Sequence, residues 1–416
     1  MSGGHGSQNV MPNYWLIYIF RFLLASLNID AIMQESTLYR RRERLNKMID
    51  GLGLEDVYGA TIERIKAQRG DKSKLGMGAL MWICHAERPL SPDQLCHALA
   101  IESGSTDFDS GNIPSIPTLV SCCQGLITVD KEGSTVRLIH FTLREYLSSH
   151  PHIFYSPHST IAEVCLTYLN SQQVKALSDY PTADLRGLVH DKPMVEYCSL
   201  YWGVHAKKDL SDCTMSLALQ LFKEYDGHIS AKVLVHKVWN ILDGLIACPR
   251  WSGMHCASFF GIFEVVAALI EMGCYDLNEG DWSGCTALSL AAEKGHEGVV
   301  KILLEREEVN PDKSDNDGRT PLSYAAVHGR EGVVGVLLER QEVNPNKPNN
   351  YGQTPLIRAA GAGNEGVVKI LLEREEVNPD KPDNDGLTPL RMATLFGHKN
   401  VIAQLQSHEV STDSTI

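Results

Sequence analysis

The sequence GCTALSLAAEKGHEGVVKILLE, residues 284–305, recurs almost unchanged along the C-terminal part of the chain. A fixed period of about 34 residues is typical of a solenoid, in which each repeat packs mainly against its neighbours. The repeats therefore predict a stacked helical rod whose exposed face binds other macromolecules and carries out no chemistry. The further copies are GRTPLSYAAVHGREGVVGVLLE (318–339), GQTPLIRAAGAGNEGVVKILLE (352–373) and GLTPLRMATLFGHKNVIAQLQ (386–406).

Each part of the repeat has a structural task. The Thr hydroxyl is expected to cap a first helix, and a Pro that follows it needs no amide partner at that position. A glycine permits the left-handed turn between the two helices. The capping residues are Thr286, Thr320, Thr354 and Thr388, and the glycines are Gly295, Gly329, Gly363 and Gly397. Val299, Val300, Leu303 and Leu304, with their equivalents, are expected to fill the core.

This unit resembles the ankyrin repeat, with TPL followed by paired small residues, a glycine and VVxxLL. A degenerate fifth copy, SGMHCASFFGIFEVVAALIEMG (252–273), comes before the others in the same register. The resemblance implies five ankyrin repeats over residues 251–408, starting near 252, 286, 320, 354 and 388. It also implies that the VNPDKxDNDG segments form projecting hairpins.

Two departures from the ankyrin pattern carry expectations. The His of the family's TPLH motif survives only as His255, and its replacements should loosen the hydrogen bonding between adjacent repeats. The first repeat also has apolar residues where later repeats are polar, which suggests that the preceding helical region covers them. The replacements are Ser289, Ser323, Ile357 and Arg391, and the apolar residues are Phe259, Phe260 and Phe263.

The region before the repeats follows the order helix, helix, helix, strand, strand. Ser91 is a natural N-cap for the second helix, with Pro92 at its first position. The turn at residues 131–134 joins the two strands, and a further helix closes the segment. In chain order the segments are LGMGALMWICHA (75–86), DQLCHALAI (93–101), TLVSCC (118–123), LITVD (126–130), VRLIHF (136–141) and FTLREYL (141–147). This order is that of a winged helix.

The whole arrangement resembles fungal NACHT–ankyrin proteins, which are NLR-like signalling ATPases, and its winged helix is similar to the one named after GPI inositol-deacylase. IFRFLLASLNIDAI (19–32) and LEDVYGATIERI (54–65) look like the end of the family's nucleotide-binding domain. The predicted fold is mainly α, with a winged helix and a helical connector before an ankyrin-repeat solenoid. The predicted segments are a disordered N-terminus (1–13), a helical remnant (14–70), the winged helix (71–150), the connector (151–250), the repeats (251–408) and a disordered tail (409–416).

Composition and missing motifs exclude several classes of function. The family's phosphate loop, GxxxxGK followed by Ser or Thr, does not occur, and neither does GxSxG, HExxH or a Cys/His zinc spacing. We therefore expect no enzyme activity, no bound nucleotide, no cofactor and no metal. The 11 cysteines include no CxxC pair, which indicates reduced thiols in the cytoplasm. The apolar run 14–27 is too short for a membrane span and contains Arg21, so we expect a buried helix and no membrane partner.

The predicted partner is a protein. The whole chain has a net charge of −13, and residues 252–408 contain 14 basic and 23 acidic residues. This balance disfavours nucleic acid and favours basic or neutral proteins. The alternative for each candidate residue is that it packs on its neighbour within the hairpin. The hairpin candidates are Trp282, Asn316, Arg319, Tyr351, Gln353, Asn384 and Leu387, and the concave candidates are His328 and Phe396.

The sequence thus predicts an interaction protein that senses or scaffolds in an NLR-like pathway. One rival is a winged-helix regulator that binds DNA, although its second and third helices (93–101 and 118–123) contain no Lys or Arg. A second rival is the regulatory subunit of an enzyme.

Overall fold

The computed structural model describes residues 36–43, 54–105, 108–130, 132–178, 187, 191–239 and 250–413. The predictions for residues 1–13 and for the apolar run 14–27 lie outside these ranges. The chain divides into two compact units. The first comprises Met1–Glu102 and Phe108–Ile161, and the second comprises Ser103–Asp107 and Ala162–Ile416. The mainly helical fold class is confirmed. No helix within the described ranges combines the length and apolar character that a membrane span requires.

The first unit has the predicted winged-helix order. Its second predicted helix, α3 below, begins with a capping box in which Ser91 Oγ accepts from Gln94 N at 3.1 Å and Gln94 Oε1 accepts from Ser91 N at 3.2 Å. The elements are α1 (Leu54–Lys66), α2 (Lys72–His85), α3 (Pro92–Ala100), α4 (Ile116–Cys122), β1 (Ile127–Asp130), β2 (Thr135–Leu138) and α5 (Phe141–Ser149). Short 3-10 turns occupy Ser110–Asn112 and Pro151–Ile153.

The two strands form an antiparallel hairpin with Ile127 opposite Leu138 and Asp130 opposite Thr135. The second strand ends three residues before the predicted limit at Phe141. The reason is His140, whose Nδ1 accepts from the backbone N–H of Thr142 at 3.3 Å and so caps α5. The helix cap at His140 therefore ends the strand. The alternation of apolar residues in the sequence does not predict this competition between helix capping and strand pairing.

The second unit begins with connector helices and continues into five helix pairs. The connector elements are α6 (Pro157–Asn170, in this unit from residue 162), α7 (Gln172–Lys175), α8 (Pro193–Lys208), α9 (Asp212–Phe222) and α10 (Ile229–Trp239). The repeat helices are α11 (Gly253–Phe260), α12 (Phe263–Met272), α13 (Ala287–Lys294), α14 (Glu297–Leu304), α15 (Pro321–Val327), α16 (Glu331–Leu338), α17 (Pro355–Ala362), α18 (Glu365–Leu372), α19 (Pro389–Phe396) and α20 (Lys399–Asp413). We number the pairs repeats 1 to 5.

The last helix corrects the predicted tail. It continues to Asp413, whereas disorder was predicted from residue 409. The segment SHEVSTD (407–413) contains neither Gly nor Pro, so nothing in its backbone chemistry stops the helix at His408.

The repeats are built as the motif predicts. In each repeat, the side chain of the capping residue accepts a hydrogen bond from the backbone N–H three residues on. The four predicted turn glycines have φ between 66° and 80°, in the left-handed region. The first helices pack on one another along the solenoid, and so do the second helices. The capping residues are Ser252, Thr286, Thr320, Thr354 and Thr388.

A buried Asp or Asn orders each hairpin between repeats. Its Oδ1 accepts from the backbone N–H groups two and four residues further on, at 2.7–3.0 Å. The motif therefore fixes the shape of each projecting turn before any partner is present. These residues are Asp281, Asp315, Asn349 and Asp383.

The connector covers part of the apolar surface of repeat 1, as expected. Phe260 is 6% exposed, and its ring centroid lies 5.4 Å from that of Trp202 in α8. Phe222 of α9 also packs against Trp202, with the ring centroids 5.7 Å apart. Phe263, in contrast, remains 45% exposed, so the expectation fails for this residue. Its helix α12 is contacted by α9.

His255 forms two hydrogen bonds that the residues at the equivalent positions of the other repeats are expected to lack. Its Nδ1 accepts from Ser252 N at 3.2 Å, and its Nε2–H donates to the carbonyl of Glu279 at 3.1 Å. At the equivalent position of repeat 3, Ser323 Oγ is buried without a partner. The link from the first helix to the following hairpin is thus absent there.

We expect Ser323→His to raise the free energy of unfolding by about 1 kcal/mol, because the imidazole can reach the carbonyl of Lys347, the residue equivalent to Glu279 in this repeat. The reciprocal change His255→Ser should lower it by about 2 kcal/mol, since two hydrogen bonds are lost. Chemical denaturation followed by circular dichroism measures both. A destabilising effect of Ser323→His together with a neutral His255→Ser would contradict this interpretation.

Candidate protein-binding surface

A groove opens on the side of the solenoid formed by the first helices of repeats 3 to 5. Its volume is about 350 Å³. Gly361 allows Met392 to pack closely in this lining, because a Cβ at this position would lie 2.9 Å from Met392 Cγ. The groove is lined by Val327, Gln353, Ile357, Arg358, Gly361, Ala362, Met392 and Phe396.

Arg358 is the only charged residue in this lining. Its side chain is half-buried, and no described residue forms a hydrogen bond or ion pair with it; its Nε is buried without a partner. Burial, followed by the nearby charge of Arg319, lowers the pKa of the guanidinium. An arginine in this state is poorly solvated and unpaired, which favours binding of an anionic group.

The carboxylates nearest to Arg358 are already engaged. Arg319 Nε donates to Asp315 Oδ2 at 2.7 Å, and its Nη2 lies 2.7 Å from Asp317 Oδ2. The hydroxyl of Tyr324 also donates to Asp315 Oδ2, at 2.7 Å, and burial raises the pKa of this tyrosine. Arg319, a predicted binding residue, is therefore held within its own hairpin. Arg358 forms no ion pair with Asp315 or Asp317, whose more distant charges only partly offset the lowering of its pKa.

Four predicted residues lie at or beside the groove or project freely. Gln353 and Phe396 line the groove, and the Phe396 side chain is 60% exposed. His328 is exposed next to the lining residue Val327, with its Nδ1 3.0 Å from the carbonyl of Tyr324. Tyr351 is 63% exposed at a hairpin tip. The surface available to a partner thus combines the groove with this tip.

Two predicted asparagines have a task within the solenoid. Asn316 Nδ2 donates to the carbonyl of Trp282 at 3.3 Å, and Asn384 Nδ2 donates to that of Asn350 at 3.0 Å. Asn350 Nδ2 in turn donates to the carbonyl of Asn316 at 3.0 Å. The three side chains form a ladder that ties successive hairpins together, although all three residues are exposed.

The remaining two candidates, Trp282 and Leu387, are less exposed than Tyr351 and Phe396. Trp282 is half-buried, and its indole nitrogen is buried. Leu387 is also half-buried, and its backbone N–H donates to Asp383 Oδ1 at 2.8 Å. Neither offers the exposed anchor that the sequence suggested.

Sequence reasoning missed Arg358, although the repeats contain a signal for it. The equivalent position of the other first helices carries a residue without formal charge, so the arginine stands out when the repeats are aligned. Those equivalents are Cys256, Leu290, Tyr324 and Met392.

The winged-helix unit has a separate cavity of about 430 Å³. Arg88, Arg137 and Arg144 contribute to its lining, together with the exposed ring of Phe141. Arg137 is paired with Asp130 at 3.0 Å, and Arg144 donates to the carbonyl of Ile83 at 3.3 Å. The helix α4, third in winged-helix order, contains neither Lys nor Arg.

Two protein-family models match the chain. Ankyrin repeats match in three copies, over residues 216–315, 253–349 and 337–416, and the winged helix domain of GPI inositol-deacylase matches residues 63–156. A search of curated proteins found no match. The chain therefore carries a winged-helix domain followed by ankyrin repeats, and repeats of this kind generally mediate protein–protein interactions and are non-catalytic. The first ankyrin match begins inside the segment predicted as connector.

Proposed function

We propose that this chain is a non-catalytic interaction protein whose ankyrin repeats recognise a protein partner through the groove of repeats 3 to 5. The observation that carries this proposal is the groove itself, which combines the exposed ring of Phe396 with the unpaired guanidinium of Arg358. Exposed aromatic and arginine side chains are the residues that most often dominate binding energy at protein interfaces. Tyr351 would extend the contact to the hairpin tip.

We further propose that the chain acts in the cytoplasm as a sensor or scaffold of an NLR-like pathway. The support is the order of its domains, which resembles that of fungal NACHT–ankyrin proteins. The chain lacks the phosphate-loop sequence, so any nucleotide switch would be supplied by a partner. In this proposal the protein binds no cofactor, nucleic acid or membrane. The candidate contacts remain Tyr351, Gln353, His328 and Phe396, to which we add Arg358.

The alternative that the winged helix binds DNA and regulates transcription has less support. The helices α3 and α4 contain no Lys or Arg, and duplex affinity depends mainly on cationic contacts to phosphate. Duplex binding by the purified chain that weakens steeply with salt would favour the DNA-binding alternative over the proposed function.

Affinity capture with the full-length chain tests the proposal. We expect the double variant Tyr351→Ser/Phe396→Ser to lose a partner that the unchanged chain retains. The matched control is Phe263→Ser, which removes an exposed phenylalanine of repeat 1 outside the groove. Retention of the same partner by the double variant, or its loss only with Phe263→Ser, would place the interaction elsewhere.

A further inference from the structure

We propose that the groove selects a peptide segment in which one carboxylate side chain stands beside a large apolar side chain. The carboxylate would pair with Arg358, and the apolar side chain would pack between Met392 and Phe396. This inference rests on the proposed function and deepens it, because it names the chemistry of the partner.

The geometry around Arg358 supports the carboxylate. Its guanidinium is half-buried and unpaired, while the neighbouring Asp315 and Asp317 are bound by Arg319. A planar guanidinium can form two parallel hydrogen bonds with a carboxylate, and such pairs are stronger than neutral hydrogen bonds. The partner would thus supply a directly paired carboxylate, whereas Asp315 and Asp317 act on Arg358 only at longer range.

The walls of the groove support the apolar neighbour. Ile357 and Met392 are 1% and 7% exposed and form the floor, whereas Phe396 stands 60% exposed at the rim. Gly361 adds no side chain to this lining, and the groove of about 350 Å³ can accept a side chain from outside. Burying a large apolar side chain here favours binding, because it removes apolar surface from water.

Gln353 offers a further polar contact at the edge. Its Oε1 accepts from Asn349 Nδ2 at 3.3 Å, which turns the amide in a defined direction. Its Nε2 can donate to a main-chain carbonyl of the bound segment.

The charges around the groove limit the partner to few carboxylates. No acidic residue lines the groove, whereas glutamates and aspartates crowd the segments between each second helix and the next hairpin, such as 305–312 and 373–380. A strongly acidic peptide would be repelled by these segments, and a neutral segment would leave Arg358 unpaired. The net charge alone favoured basic partners, and the local arrangement modifies this expectation: the anchor is one acidic side chain with uncharged or basic flanks.

Selection from a random-peptide display library on the full-length chain tests the inference. We expect enriched peptides to carry Asp or Glu within two positions of an aromatic or aliphatic residue. Synthetic versions should lose about tenfold or more in affinity when that carboxylate is changed to its amide or when the chain carries Arg358→Met. Combining both changes should cost little more than either alone, and Arg358→Lys should restore part of the affinity. Arg358→Met should leave the unfolding transition unchanged, because it breaks no bond within the chain.

Ala362→Trp and Arg358→Met together distinguish a failure of the carboxylate inference from a failure of the proposed function. Ala362→Trp fills the groove from an exposed helix position, so it should abolish peptide binding whatever the partner's charge. Peptides that depend on the open groove but tolerate Arg358→Met would overturn the carboxylate inference and leave the proposed function in place. A selection that yields no peptide sensitive to Ala362→Trp would count against both.

Discussion

Gly203→Val is expected to lower the free energy of unfolding of the connector–repeat unit by about 3 kcal/mol. Gly203 lies in α8, and a Cβ at this position would overlap the ring of Phe260 in α11. That ring is held against Trp202 and is 6% exposed, so it has no free space into which it can move. A β-branched side chain therefore forces α8 away from repeat 1.

The contact is reciprocal. A Cβ at Gly253 of repeat 1 would lie 2.5 Å from Cγ of Phe222 in the connector. Each segment thus supplies one phenylalanine and one glycine to the junction. Because interiors are close-packed, such paired positions tolerate little added volume. We infer that the connector serves as the N-terminal cap of the solenoid by burying the first face of repeat 1.

A glycine that has no neighbour near its Cβ position serves as a control, because replacing it changes only the intrinsic helix preference of the chain. Gly335 lies inside α16, and a Cβ there would meet no atom within 4 Å. Gly335→Ala should therefore stabilise the chain by about 0.5–1 kcal/mol, since alanine favours the helix. Hydrogen exchange of the repeat amides measures both variants without assuming that the two units unfold together. Unchanged protection in Gly203→Val, or no partial rescue by adding Phe260→Leu, would contradict the steric explanation.

Acidification is expected to destabilise the same unit, beginning near pH 6.5. His228 and His296 each donate Nε2–H to a carbonyl, at 3.2 and 3.0 Å, and use Nδ1 as an acceptor. His228 Nδ1 accepts from Ser230 N at 3.1 Å, and His296 Nδ1 accepts from Lys207 Nζ at 3.0 Å. Protonation destroys both acceptors.

Burial lowers the pKa of both imidazoles to about 4, and for His296 the charge of Lys207 adds to the effect. An unfolded histidine titrates near 6.5, so between these values the unfolded chain binds more protons than the folded chain. Stability is therefore complete above pH 6.5 and is lost as the pH falls toward 4. At pH 5 the loss through His228 alone is about 2 kcal/mol, and His296, which is less completely buried, adds a smaller amount.

Denaturation of the full-length chain between pH 7.5 and 5, followed by exchange of the repeat amides, measures this loss. His228→Asn removes one titrating group and should flatten the pH dependence of stability over this range. Identical slopes for the variant and the unchanged chain would show that the buried imidazole is not the cause.

The solenoid was predictable because its determinants are local and repeat. The hydroxyl of Thr320 and the amide it caps lie within one helical turn, and Gly329 needs only its own backbone freedom. The same holds for Ser91 in the winged helix. Each of these features depends on residues that are close in the sequence, so the motif contains all the necessary information.

The groove was harder to predict because its chemistry depends on pairing in three dimensions. Arg319 and Arg358 look equally available in the sequence, yet only Arg319 reaches Asp315 and Asp317. Trp282 looks like an exposed anchor, yet it is half-buried within the hairpin region. The negative net charge of the repeats did not predict that the groove itself has no acidic residues, because the carboxylates lie in the intervening segments.

Hydrogen–deuterium exchange on the full-length chain, with and without a captured protein partner, locates the surface that the partner covers. We expect the partner to slow exchange in the hairpin at Tyr351 and in the first helices of repeats 4 and 5, α17 and α19, and to leave the second helices α16 and α18 unchanged. Slowed exchange confined to the winged-helix unit or to the second helices would show that the partner binds elsewhere.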